Sequence, residues 1–198
     1  SIELADISAL KNWDVSSVGN MTEMFYGCES LEDISALTEW DTSSLNFMED
    51  LFDGCSELKD ISALAGWDVS SNIKLTGLFK DCSSLTDISS LSKWDVSNIR
   101  SMEELFDGCE VLSDVSALKE WNVGKLENID RMFSDCTSLS NANSLDFWIL
   151  NNIRTAEDVF LNCGNLSDYP IWYRNGEFTG LNEHLDEFNR LNTTTDNR

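Results

Sequence analysis

The sequence predicts an α/β solenoid of about six stacked coils of 27 residues, and three columns of residues carry the prediction. Cysteine recurs at Cys28, Cys55, Cys82, Cys109, Cys136 and Cys163, each 27 from the last. Phenylalanine keeps the same step three residues earlier, from Phe25 to Phe160. Tryptophan keeps it from Trp13 through Trp40, Trp67, Trp94 and Trp121 to Trp148. Large and reactive side chains locked to one period in this length range mark an array whose units bury their apolar edges only against each other. The array outranks a division by length, and the 198 residues read as one solenoid over 1–165, a C-terminal cap over 166–192 and a tail over 193–198.

Within a coil, Trp13-Asp14-Val15 and its equivalents read as an extended segment turning the chain. Val18, Met21, Met24, Phe25 and Cys28 then follow at helical spacing, predicting a short helix over about 17–26 in each coil. Ser16 or Ser17 would supply its N-cap hydroxyl and Gly27 its terminating glycine. Leu31, Ile34 and Leu37 come next, with an apolar step too short for a second helix. A short strand centred on Ile34 fits, with Asp33 and Ser35 turned outward. Its equivalents at Ile7, Ile61, Ile88 and Val115 would pair as a parallel sheet. Two coils depart from the pattern: Asn72-Ile73 replaces the usual apolar-polar order, and Asn141-Ala142-Asn143 replaces D-I-S. Beyond Leu166, Tyr169 to Phe178 with an Asn175-Gly176 turn reads as a hairpin. Leu181, Leu185, Phe188 and Leu191 mark a closing helix. At the other end Ser1 occupies the position of the column cysteine, so a preceding segment is expected.

Composition narrows the function. With 36 acidic residues against 13 basic ones, the formal charge of −23 opposes binding to nucleic acid or to an anionic membrane. It suits cations or a basic partner. No apolar run approaches the length of a membrane span, so no membrane insertion is expected. The cysteines read as a ladder of buried, reduced thiols, since equivalent positions in stacked coils have parallel rather than converging Cβ vectors. With no CxxC pair and His184 as the only histidine, neither zinc nor a cofactor is predicted.

The segments WDVSSVGNMTEMFYGCESL (13–31) and WDVSNIRSMEELFDGCEVL (94–112) resemble the repeat of the BspA-like leucine-rich-repeat surface proteins of bacteria and mycoplasmas. The likeness runs from residue 4 to about 166. It implies a leucine-rich-repeat solenoid, a cell-surface or secreted location, and adhesion or ligand binding without catalytic residues.

Two columns of carboxylates remain to be explained: Asp6, Asp33, Asp60, Asp87, Asp114 and Asp168, and Asp14, Asp41, Asp68 and Asp95. Carboxylates stacked at about the strand spacing of ~5 Å repel one another unless something holds them. Asx turns to backbone N–H groups would do so, and a row of cation sites is the alternative. Ligand specificity belongs to exposed positions that vary between coils. The candidate binding face is therefore Glu32, Asp33, Lys59, Asp60, Thr86, Asp87, Ser113 and Asp114, with the pairs before each Trp and the column Tyr26, Asp53, Lys80, Asp107 as further variable positions. No phosphate loop, nucleophile elbow or metal triad occurs, and identical coils give every carboxylate the same surroundings, so no enzyme is expected. The leading reading is a protein- or glycan-binding module of a larger surface or secreted protein. The other is an intracellular acidic inhibitor or regulator that masks a basic site on a partner.

Overall fold

The structure is a computed structural model and describes residues 4–174. Its coils stack in register. The Phe rings from Phe25 to Phe160 form one continuous pile, with neighbouring centroids 5.5–5.9 Å apart and nearly parallel planes. Phe52, Phe79, Phe106 and Phe133 are wholly buried, as are the leucine column from Leu31 to Leu139 and the cysteines from Cys55 to Cys136. This gives a solenoid core that is one cluster from end to end rather than separate units.

The secondary structure inside each coil differs from the expected strand and helix. No strand forms around Ile34 or its equivalents; each is instead followed by a short 3-10 helix. These span Ser8–Asn12, Ser35–Leu37, Ser62–Leu64, Ser89–Lys93, Ser116–Leu118 and Asn143–Leu145. The cause is local. Asp33 Oδ1 accepts the Ser35 N–H at 2.7 Å, and this Asx turn starts the tight helix where a strand would have to continue. Parallel pairing survives as isolated bridges, among them Asp60 with Asp87 and Asn141 with Asp168.

The expected helix over 17–26 is likewise absent, replaced by a train of turns. Met24, Tyr26 and Cys28 donate their N–H to Met21, Glu23 and Phe25, each three residues back. The alternate residues Met21, Glu23, Phe25 and Gly27 donate instead to Phe47, Glu49, Leu51 and Asp53 of the next coil, 26 residues on. An α-helix would keep all these bonds within itself. Here every second one leaves the coil and ties it to its neighbour. The geometry needs two left-handed residues per coil, at Glu23 (φ 57°) and Gly27 (φ 66°). Their equivalents are Asp50, Gly77, Glu104, Arg131 and Asp158, and Gly54, Asp81, Gly108, Asp135 and Asn162. Gly27 thus serves the left-handed conformation anticipated for it, but within a turn. Ser16 is not a helix cap either, since its hydroxyl donates to Asp14 Oδ1 at 2.6 Å.

At the C-terminal side, Ile171–Arg174 is one turn of α-helix, here α1, where a hairpin strand was expected. It carries Trp172, which stacks on Trp148 at 6.4 Å and extends the tryptophan column out of register. The Asn175-Gly176 turn, the helix carrying Leu181 to Leu191, His184 and the tail over 193–198 lie outside the described residues.

Candidate functional site

The two carboxylate columns are held by their own coils. Asp6, Asp33, Asp60, Asp87 and Asp114 each accept the N–H of the serine two residues on, at 2.7–2.8 Å. Asp14, Asp41, Asp68 and Asp95 do the same at 2.9–3.1 Å. The Ser35 N–H draws the Asp33 carboxyl below its ordinary value, and the hydroxyls of Ser16, Ser43 and Ser97 do so first for Asp14, Asp41 and Asp95. Turn formation therefore stabilises these nine stacked charges; Asp168 makes no such turn, because Pro170 two residues on has no N–H. Among the described residues no group of three or more His, Cys, Asp or Glu is gathered closely enough to hold a metal ion.

On the outer side of the first column, Glu32, Asp33, Lys59, Asp60, Thr86, Asp87, Ser113 and Asp114 are all exposed. An open groove of about 390 Å³ runs between two coils of this face, lined by Thr86, Asp87, Ile88, Ser89, Ser92, Asp114, Ser116 and Ala117. Its hydroxyls and carboxylates surround a floor that includes Ile88 and Ala117, and more of its surface is apolar than polar. It offers acceptors and donors in quantity but no aromatic platform.

The column Tyr26, Asp53, Lys80, Asp107 is not the exposed surface anticipated. Tyr26 is exposed, Asp53 and Lys80 are half-buried, and Asp107 is 4% exposed. Charges from neighbouring coils close over them. Lys80 Nζ reaches Glu104 Oε2 at 2.5 Å, and Arg131 grips Asp107 through Nε and Nη2 at 3.0 and 3.3 Å. Burial still raises the Asp107 carboxyl against the pull of Arg131, and raises Asp53 to about 6 against the pull of Lys80. These partners lie 24 residues apart, one coil minus three. That spacing, scanned for opposite charges, would have found the network from sequence.

The thiols form a ladder. Each Sγ from Cys55 to Cys163 donates to the carbonyl of the phenylalanine 30 residues earlier, at 3.0–3.2 Å. All six are free and buried. Burial pushes Cys55 up to about 12 and Cys163 to about 11, so these groups stay protonated and unreactive at neutral pH. The indole N–H groups of Trp40, Trp67, Trp94, Trp121 and Trp148 likewise donate to leucine carbonyls of the preceding coil at 2.9–3.2 Å. Cysteine and tryptophan are thus structural bolts between coils, as their recurrence at core positions predicts.

A family model described as "Mycoplasma protein of unknown function, DUF285" matches residues 2–113 and, again, residues 62–173. No curated protein matches the chain. Among solved structures it is similar to a leucine rich cell surface protein from Faecalibacterium prausnitzii A2-165, at 21% identity and TM-score 0.49, over 77% of this chain and 36% of that one. It is similar to a leucine-rich repeat protein from Eubacterium ventriosum ATCC 27560 at 22% identity and TM-score 0.49, over 75% and 34% of the two chains. A leucine rich repeat protein of T. pallidum aligns at 19% identity and TM-score 0.41, over 83% and 78%. The chain spans about a third of the length of the first two.

Proposed function

Since this chain belongs to the DUF285 family of mycoplasma proteins, in keeping with the BspA-like repeat its residues resemble, we propose that it is a non-catalytic binding module of a larger cell-surface or secreted protein. It contacts a protein or glycan through the face of Glu32, Asp33, Lys59, Asp60, Thr86, Asp87, Ser113 and Asp114. The observation that carries this reading is the groove on that face, where varied side chains surround an invariant scaffold of Asx turns. Its hydroxyls and carboxylates suit directional hydrogen bonding, the chemistry of a polar peptide or a sugar ring. Catalysis finds no support there, because each carboxylate repeats its neighbour's environment and differs too little to divide acid from base.

The thiol ladder does not oppose an extracellular setting, since buried thiols donating to carbonyls resist oxidation whatever the surroundings. No helix of the described residues is long and apolar enough to cross a membrane.

The test is retention of the chain on arrays of glycans and of extracellular-matrix proteins, compared with a Thr86→Arg, Ser113→Arg variant. Those two positions are exposed and outside the Asx turns, so the variant blocks the groove and leaves the fold intact. A ligand retained by the parent and released roughly tenfold faster by the variant supports the reading. Equal retention by both, on every ligand found, removes this face from the binding site.

A further inference from the structure

We propose that a second surface, the edge formed by residues 44–47, 71–74, 98–101, 125–128 and 152–155, docks an extended, carboxylate-bearing protein segment through an apolar anchor. Three independent observations meet on this edge.

The first is charge. On a chain of −23, the segments of this edge carry Lys74, Arg100, Lys125 and Arg154 against the carboxylate of Glu127, with Glu103 and Asp130 bonded to Asn128 and Thr155 at its border. Glu127 is shared between Arg100 and Arg154, and Lys125 Nζ leans on Asn98 Oδ1 at 2.7 Å. Lys74 is exposed and has no carboxylate partner among the described residues. The surplus is cationic, whereas the neighbouring Asp14 column is acidic.

The second is apolar exposure. Phe47 and Ile73 are 52% and 51% exposed, on adjacent coils and one position apart. Ile73 is outside because Asn72 has taken the buried place, where Leu45, Ile99 and Leu126 stand in other coils.

The third is a gap in the ladder at that point. The carbonyls of Gly19, Ile73, Arg100 and Glu127 each accept two N–H groups of the next coil. The Asn46 carbonyl accepts neither Ile73 nor Lys74, and the Met48 N–H does not reach Lys74, although Met21, Leu75 and Met102 all make that bond. Beneath the gap the Asn72 Oδ1 is buried without a partner. The Asn46 carbonyl and the Ile73 and Lys74 N–H groups, all on exposed residues, are therefore left for an outside strand, beside two apolar side chains and a line of cations, while the Met48 N–H is buried with its residue. An extended peptide uses all three, its main chain at the gap, an apolar side chain on Phe47 and Ile73, and its carboxylates on Lys74 and Arg100. A sulfated or carboxylated glycan would use only the cations and would leave the ring and the backbone wet.

The probe is a fluorescein-labelled peptide of alternating glutamate and leucine, titrated into the full chain by anisotropy at rising salt. The expected result is binding that weakens with salt and falls roughly tenfold or more in Arg100→Glu and in Phe47→Ser. The double variant Asn72→Ile, Ile73→Asn, which restores the ordinary order and closes the gap, should abolish it while keeping the fold. The proposal is overturned if the peptide does not bind, or binds the double variant as well as the parent. Heparin binding that survives Phe47→Ser, with no peptide binding, would assign the edge to an anionic glycan and overturn it too. So would self-association, read by sedimentation, that Arg100→Glu abolishes in the absence of peptide binding.

Discussion

Asp53 is the residue at which burial and charge are most openly opposed. Desolvation raises its carboxyl from 3.8 to about 6, with Lys80 pulling the other way and Asp81, Asp50 and Glu104 adding to the rise. The folded state therefore binds a proton that the unfolded state releases, across the interval between those two values. The sign follows directly. The destabilisation from a charged Asp53 is full above about pH 6, and is relieved as pH falls through about 6 towards about 4. Asp53→Asn should raise the urea midpoint at pH 7.5 and have little effect near pH 4. If the gap between variant and parent stayed constant across that range, a group other than Asp53 would be titrating. Gly77 shows a related pressure. A Cβ there would stand 1.9 Å from Asp50 Oδ1, so the glycine is where one coil makes room for the carboxylate of the coil before it.

At the scale of the element, the Asn72-Ile73 inversion is a place where a coil contradicts its own pattern in the core. Asn72 is wholly buried; its Nδ2 donates to the Leu45 carbonyl at 3.0 Å, but its Oδ1 has no partner. An unsatisfied buried acceptor costs about 1–3 kcal/mol, and Ile73 forgoes burial besides. Asn72→Ile with Ile73→Asn should therefore stabilise the chain by about 1–3 kcal/mol in equilibrium unfolding, and a loss would mean that the gap is held open by contacts of its own. The inversion was legible in the sequence as a departure, though not its consequence for the ladder. The same limit explains the misread elements. Apolar residues at Val18, Met21, Met24, Phe25 and Cys28 fit a helix, but they fit a train of turns equally well, since both place every third or fourth residue on one side. What separates the two is the left-handed backbone at positions such as Glu23, Glu104 and Arg131, and those residue types give no hint of it. The Asp-x-Ser triplets, by contrast, were readable as Asx turns, and the turn is the reason the expected strand at Ile34 gives way to a 3-10 helix. Of the candidate site, the exposed face was legible because its varying residues are polar and flank the Asx turns, whereas the varying column of Tyr26, Asp53, Lys80 and Asp107 misled, since charges from neighbouring coils cover its later members. The cationic edge was not, because its members are scattered over different positions in different coils.

At the scale of the molecule, the fold is a one-dimensional stack, and the bolts between coils set its cooperativity. Trp67 is 4% exposed, stacks on Trp40 at 6.2 Å and donates to the Leu37 carbonyl at 3.2 Å, so it ties its coil to the one before it by ring and hydrogen bond together. Trp13 holds the same place in the first described coil but is 56% exposed, and the Leu10 carbonyl of its own coil receives the indole of Trp40 instead. Removing a buried aromatic side chain costs about 3–5 kcal/mol, and in a nearest-neighbour array a weakened interface in the middle lets the two halves unfold apart. Trp67→Ala should thus lower stability by about 3–5 kcal/mol and broaden or split the calorimetric transition. Trp13→Ala should shift the transition only slightly and leave its shape alone, because that side chain bridges less. Equal losses with unchanged shapes would show that the chain unfolds as one unit. Its continuous Phe pile, and not its interfaces taken one at a time, would then be what carries stability along the solenoid.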